Sequence, residues 1–397
     1  MTTNWGLTFS VAILLIVTGY YAWVMLSKQS IQSFTQAKSK FVHPGSVMSV
    51  DATKKLQNLR NLPSSQVAPV STWIATLLAV PTNVPSSASA VCLRSHHQVM
   101  MDAGESVYKC AIAYLYSGNP VFADSSIRIM NDWATINKSY YEAHPTYPGG
   151  NGPLEYGWMC ASFAKAAEML KYSYGAWTKD FENRFNAWVD AVALPLLKKN
   201  PNGGGNWCHT IDEARLQLAI FREDKAEFDK VIGMLKDRIT QDIDKDGLIV
   251  ETFRDMWHAQ SGIGALVQAC EIAWNQGVDL YATNNNALYK CVELHAQILA
   301  EPNTNPPIIQ KYIDYSVANK TMSYDKYRWI HPLSFGTWPR QVKQRGYWPA
   351  GYEIALVHYQ GRKNMQMPYT TKLTDQRRPE HYAFHEGYGT YTHYLTK

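Results

Sequence analysis

Charge is scarce in this chain, and its first 27 residues carry none at all. Of 397 residues only 18% are Asp, Glu, Lys or Arg, and 38 Lys plus Arg against 33 Asp plus Glu leave a formal net charge of +5. No run of five or more Lys/Arg occurs, so nucleic acid is a poor partner; a small acidic or polyanionic substrate fits the balance better. The six cysteines (Cys92, Cys110, Cys160, Cys208, Cys270, Cys291) include no CxxC pair, which argues against a zinc ribbon or a thioredoxin motif. Their even number permits disulfides, and buried thiols in helices fit equally well. Gly and Pro, at 24 and 19, are near average usage, which excludes collagen-like and low-complexity chains. GxSxG, P-loop, HExxH and a GxGxxG in proper context are all missing. Hydrolase-triad, nucleotide-binding and zincin readings therefore drop out.

What the N-terminus does have is one long apolar run. Leu7 to Leu26 is a stretch of 20 mainly apolar residues, long enough at about 1.5 Å per residue to cross a hydrocarbon core of about 30 Å. Trp5 stands at one end and Tyr20, Tyr21 and Trp23 near the other, as expected of interfacial aromatics. A cleaved signal peptide needs a basic n-region and a small-residue cleavage site, and neither is present. Residues 1–27 are expected to form an uncleaved single-pass membrane anchor. Its orientation stays open. Lys28, Lys38 and Lys40 all follow the anchor, which favours a cytoplasmic C-terminal domain. The sequons Asn137-Lys-Ser and Asn319-Lys-Thr point the other way.

Residues 28–87, polar and rich in Ser, Gln and Lys, are expected to form a stalk, with the apolar STWIATLLAV (71–80) packed on the domain that follows. From 88 to 397 the chain becomes helix after helix. Segments 111–116, 127–133, 161–170, 185–197, 214–221 and 263–274 carry apolar residues at three- and four-residue intervals, the period of a helix with a buried face. Gly118-Asn-Pro, Pro148-Gly-Gly-Asn-Gly-Pro, Pro201-Asn-Gly-Gly-Gly and Asn275-Gln-Gly punctuate them. Strand signals are scarce before 320. Paired helices with loops at alternate ends predict an all-α fold, an (α/α) toroid of helical hairpins with the site at its concave end. After 320 the chain turns aromatic and loop-rich, as if laid across that end.

Three segments could carry chemistry. In Gly203-Gly-Gly-Asn206-Trp207-Cys-His209 a glycine-rich approach precedes a helix, whose free N–H groups would favour an anion. The plainer alternative is that Asn206 caps the helix. In Glu251-Thr-Phe-Arg254-Asp-Met-Trp-His258-Ala-Gln260, Arg254 and His258 stand four apart and share a helical face. Arg can hold a carboxylate while His moves a proton near neutral pH; an ordinary surface pair, or Glu251 pairing with Arg254, is the competing reading. The tail holds Tyr347, Tyr352, His358 and His393, whose types serve equally as acid/base groups, sugar platforms or packing. Asp242-Ile-Asp244-Lys-Asp246-Gly247 matches the start of an EF-hand loop, but Phe253 stands where a bidentate Glu is needed. It is read as a turn.

Taken together these segments resemble the alginate lyase-like polysaccharide lyases over about residues 90–395. Asn151-Gly-Pro-Leu-Glu-Tyr-Gly-Trp158 with Ala166-Ala-Glu-Met-Leu170 is similar to one family helix, and Gly205-Asn206-Trp207 to its Asn-containing substrate loop. Glu251-x-x-Arg254-Asp-x-x-His258-x-Gln260-x-Gly262-x-Gly264, continuing to Glu271-Ile-Ala-Trp, is the most specific piece. The resemblance implies an α/α toroid that cleaves a 1,4-linked uronate polymer by β-elimination, without cofactor or metal. It implies Asn206 as neutraliser of the substrate carboxylate, Arg254 as added positive charge, and His258 with a Tyr as base and acid. Tyr347 is chosen for that Tyr, with Tyr324, Tyr327 and Tyr352 as rivals. Trp158, Trp207, His209, Gln260 and Tyr352 would line the substrate. Many alginate lyases place His directly after the loop Asn, whereas this chain has Trp207, so the acid/base role must fall on His258 or on His209. The expected partners are an acidic polysaccharide and, through the anchor, a membrane. A second reading keeps the toroid catalytically silent, as a membrane-anchored structural or glycan-binding protein, for example in a virion.

Overall fold

Helical hairpins make up the body of the protein, and their caps follow from local sequence. In this computed structural model the described residues are 40–83, 90–92, 97–141, 152–199, 205–253, 256–301, 306–310, 350–380 and 387–397. The N-terminal helices α1 (Val50–Leu59) and α2 (Ser71–Leu78), with a single helical turn at Ser64–Val67 between them, precede the hairpins. α3 (His97–Ser117) turns into α4 (Pro120–Ile136) at Gly118, whose φ of 69° lies in the left-handed region that favours glycine. Asn119 accepts the Val121 N–H at 3.1 Å, and Pro120 occupies the first helical position. α5 (Gly152–Lys171) is followed by α6 (Lys179–Trp188), α7 (Asn206–Phe221) by α8 (Lys225–Asp242), and α9 (Met256–Asn275) by α10 (Thr283–Ala300). α11 (Tyr352–Leu356) runs on through a wider turn to Arg362, and α12 (Pro368–Arg377) packs on α10. One parallel pair of three-residue strands, β1 (Ala90–Cys92) and β2 (Ser139–Tyr141), aligns Ala90 with Ser139.

α3, α5, α7 and α9 form the inner layer and run the same way. Tyr114 of α3 donates to the Ser173 carbonyl just beyond α5. Gly157 of α5 faces Thr210 and Ile211 of α7, and Gly262 of α9 faces Asn206. The short connections after α3, α7 and α9 send α4, α8 and α10 back along the outside, as helical hairpins do. α8 shows the matching pattern, with Phe228, Val231, Ile232, Leu235 and Ile239 buried at helical spacing on one face. α7 is buried almost all round.

The predicted helices at 111–116, 127–133, 161–170, 214–221 and 263–274 lie inside α3, α4, α5, α7 and α9. The one expected over 185–197 is α6, a five-residue π-turn at Val189–Ala193 and a last turn at Leu194–Leu197; Pro195 lacks the N–H that a regular continuation would use. The stalk reading is corrected from Phe41 onward. α1 and α2 pack into the body, with Val47, Met48, Leu56 and Leu77 fully buried. Those few apolar residues are widely spaced in a polar stretch, which hides them from a composition argument. Asn137, the acceptor of the first sequon, is also buried: it donates to the Ser139 carbonyl and accepts from Tyr156 and Trp188. Asn319 lies outside the described residues, as does the anchor run 7–26. Among the described residues no helix is long and apolar enough to cross a membrane. Cys110, Cys160, Cys208, Cys270 and Cys291 are buried as thiols.

Residues 42–47 are strapped across the C-terminal ends of the inner helices. Gln276 pairs with both the N–H and the carbonyl of Val42 at 2.9 Å, and Asn275 donates to the Ser46 carbonyl. His43 places Nδ1 2.5 Å from Glu168 and Nε2 2.7 Å from Glu223, and its ring stacks on Tyr172. Carboxylates only accept, so both ring nitrogens carry protons and the ring is an imidazolium. Burial by itself would lower the His43 pKa; the hydrogen bonds and charges of Glu168 and Glu223 outweigh it and raise it above 6.5. A raised folded pKa gives stability that is complete below the unfolded value and lost as pH climbs through the folded one. Amide hydrogen exchange over 41–48 should therefore accelerate on the alkaline side beyond its intrinsic rate. His43→Ala should abolish that extra pH dependence and cost roughly 3 kcal/mol, and an unchanged profile in the variant would refute the latch.

Candidate active site

The N-terminal halves of α5, α7 and α9 lie side by side at one end of the toroid, and the start of α11 packs against the middle of α9. Gly205, ahead of α7, has φ 85° and ψ −171°, a region open essentially to glycine alone. A Cβ there would also meet Glu251 Oε1 at 2.5 Å. Asp242, at the end of α8, accepts the Gly205 N–H at 3.0 Å, and Glu251 accepts the Asn206 N–H at 3.2 Å. Here the sequence expectation of free N–H groups for an anion is corrected, because the protein's own carboxylates occupy these two. Asn206 is the first helical residue, with Gly205 at the N-cap position. Its amide oxygen is buried without a hydrogen-bond partner, so the capping alternative also falls.

His209 is wholly buried, with Nε2 2.8 Å from the Asp242 carboxylate. Burial alone would raise the Asp242 pKa; the His209 hydrogen bond and charge, the Gly205 N–H and Arg238 hold it below the usual carboxylate value. Gly262 lets α9 approach this turn, since a Cβ on it would lie 3.0 Å from His209 Nδ1. His258 is half-exposed one helical turn before Gly262, on the same face. Gln260 is buried, donating to the Met256 sulfur, with its amide oxygen unpartnered. Tyr352 is fully buried with Gln260 beside its hydroxyl, and burial drives its phenol well above the ordinary value, so it keeps its proton. Gly351, with φ 79°, itself lies against Gly264 and Val267 of α9. Trp207 is half-buried against the core, and Trp158 is buried on α5 next to Gly157, which faces α7.

The structure thus gathers Asn206, Trp207, His209, His258, Gln260 and Tyr352 on the α7–α9–α11 seam. Arg254, Tyr347, Tyr324 and Tyr327 lie outside the described residues. His209 and Tyr352, expected to line the substrate, are enclosed by protein instead, and Asn206, Gln260 and Trp158 are buried as well. Sequence reasoning missed Asp242 as a partner of this turn; the only signal it offered was the acidic DxDxDG run, read there as a turn. That reading of the segment agrees with Asp244, whose carboxylate accepts the Asp246 and Leu248 N–H groups at 2.9 Å. A cavity of about 380 Å³ lies toward the other end of α9, lined by Lys55, Glu271, Trp274, Arg362 and His393. Glu271 is held there by Arg362 and His393, and the cavity is too far along α9 to include Asn206.

Gly205→Ala should lower stability by about 2 kcal/mol from backbone conformation alone, with the Glu251 clash added. Thermal unfolding of the variant at the parent's temperature would show instead that the turn relaxes freely.

The alginate lyase family profile matches residues 83–305, more than half of the chain. In fold the chain is similar to alginate lyase A1-III from Sphingomonas species A1, with a TM-score of 0.54 and 17% identity over 71% of this chain and 84% of that one. A Tyr-to-Phe variant of that enzyme, complexed with tetrasaccharide, gives 0.55 and 18% over 71% and 83%. An alginate lyase from Bacteroides ovatus gives 0.57 and 11% identity over 90% of this chain and 99% of its own. No curated protein matches the sequence.

Proposed function

The chain belongs to the alginate lyase family of polysaccharide lyases, and from that premise we propose that it cleaves a 1,4-linked uronate polymer, mannuronan/alginate or glucuronan, by β-elimination. The observation that carries this reading is the Asn206 side chain, which stands in a rigidly held first turn yet is not used for capping. The C5 proton of a uronate is weakly acidic until the adjacent carboxylate is neutralised, so hydrogen-bond donors must meet the developing enolate charge. Asn206 supplies such a donor, and Arg254 adds positive charge. His258, half-buried on α9 one turn before Gly262, takes or gives the proton in this reading, with Tyr347 as its partner toward the departing O4. Trp207, half-buried, borders that place, and the buried Trp158, Gln260, His209 and Tyr352 support it from inside.

The domain arrangement we propose is an anchor at 1–27, a linker from 28 and a toroid from 88 to 397, with α1 and α2 packed against it. The chain sits at a membrane through Leu7–Leu26, on a side left open by the charge bias. The full chain should remain with membranes after alkaline carbonate extraction, and release into the supernatant would rule the anchor out.

Polymannuronate, polyguluronate and glucuronan, each incubated with the full chain in detergent, distinguish the substrates by ultraviolet absorbance of the unsaturated uronate product. One polymer should give product. Asn206→Ala should reduce kcat by about 10²- to 10³-fold, the loss seen for one donor to a developing oxyanion, and His258→Ala by about 10²-fold or more. Product from none of the three would favour the silent toroid, and full activity in His258→Ala would remove the proposed acid/base assignment.

A further inference from the structure

We infer that Asp242, acting through the Gly205 amide and His209, is the positioning residue that holds Asn206 for the reaction. This inference rests on the role proposed for Asn206. A single oxygen, Asp242 Oδ2, receives two hydrogen bonds, from Gly205 N–H at 3.0 Å and from His209 Nε2 at 2.8 Å. The two donors bracket Asn206, one residue before it and three after, so one atom pins the whole first turn of α7. Glu251 takes the Asn206 N–H from a second side. Gly262 closes the third, since a Cβ on it would lie 3.5 Å from Asn206 Cα.

The chemistry of the bracket sets the role of His209. A carboxylate can only accept, so the shared proton sits on His209 Nε2. Nδ1 is buried without a hydrogen-bond partner, facing Gly262. With one nitrogen bound to Asp242 and the other enclosed, His209 exchanges no proton with a substrate; it transmits the Asp242 anchor to the turn. Asp242 is suited to this because its carboxyl stays ionised, and charge-assisted hydrogen bonds are shorter and stronger than neutral ones. The arrangement also gives the first Asp of the DxDxDG run a role at the opening of α7.

A double-mutant cycle tests the assignment on the full chain. Asp242→Ala should lower kcat on the order of 10²-fold, as expected when a reacting group shifts by about 1 Å, with KM little changed. Asp242→Asn, which keeps an acceptor oxygen, should recover most of that loss. In an Asn206→Ala background, Asp242→Ala should cause no further loss, because the two residues act as one unit. Independent losses in that background would overturn the inference. Hydrogen exchange provides a second readout that needs no activity. Amides 205–209 should exchange faster in Asp242→Ala and in the milder His209→Gln, while α3 and α4 stay protected; unchanged exchange at 205–209 would also overturn the positioning role. If the wild type yields no unsaturated product, the lyase reading fails, and exchange still decides whether Asp242 holds the turn.

Discussion

One buried ammonium ties the four inner helices together. Lys165 of α5 donates to Glu213 of α7 at 2.8 Å and to Gln268 of α9 at 2.7 Å, and lies 4.9 Å from the ring of Tyr108 on α3. Taking a charge this deep out of water costs several kcal/mol, which is recovered only where geometry and extra hydrogen bonds are good. Burial raises the Glu213 pKa, and Lys165 opposes that rise. This arrangement fixes how far each inner helix is rotated and how high it sits. Gly157, Asn206 and Gly262 lie eight, seven and six residues before Lys165, Glu213 and Gln268. At 1.5 Å per residue that is about 9–12 Å up the same parallel helices, so the three positions arrive together.

The two ends of the toroid then differ for a simple reason. Parallel inner helices put all their N-termini at one end and their C-termini at the other. At the N-terminal end, Asp242 and Glu251 satisfy the backbone N–H groups that open α7, which releases the Asn206 side chain from capping. At the C-terminal end, Gln276, Asn275 and the charged His43 hold the chain segment leading in from the N-terminus. An acidic ligand at the first turn of α7 would therefore meet side chains rather than the Gly205 and Asn206 amides, which the protein's own carboxylates already hold.

Much of this was legible beforehand. The three- and four-residue spacing placed five inner and outer helices, and Gly118-Asn-Pro marked a hairpin because its φ and capping requirements are local. The glycine-rich lead-in to α7 is visible in the sequence, and the structure adds that Gly205 stands close against Glu251. Other residues misled for physical reasons. Segment 41–83 looked like a stalk because its buried side chains are few and sparse. Asn137 looked like a surface sequon, although its amide is used inside. His209 looked available because residue type does not reveal burial.

The sequence by itself determined the helical class, the hairpin boundaries and the family resemblance, since these depend on neighbours a few residues apart. Only the tertiary structure decided which polar groups are free. Asp242 lies 33 residues from His209, and Lys165 lies 103 from Gln268. Hydrogen bonds across such separations exist only once packing has set the rotation of each helix. The same Asn, His and Asp could have been caps, surface groups or ligands, and their partners made the difference.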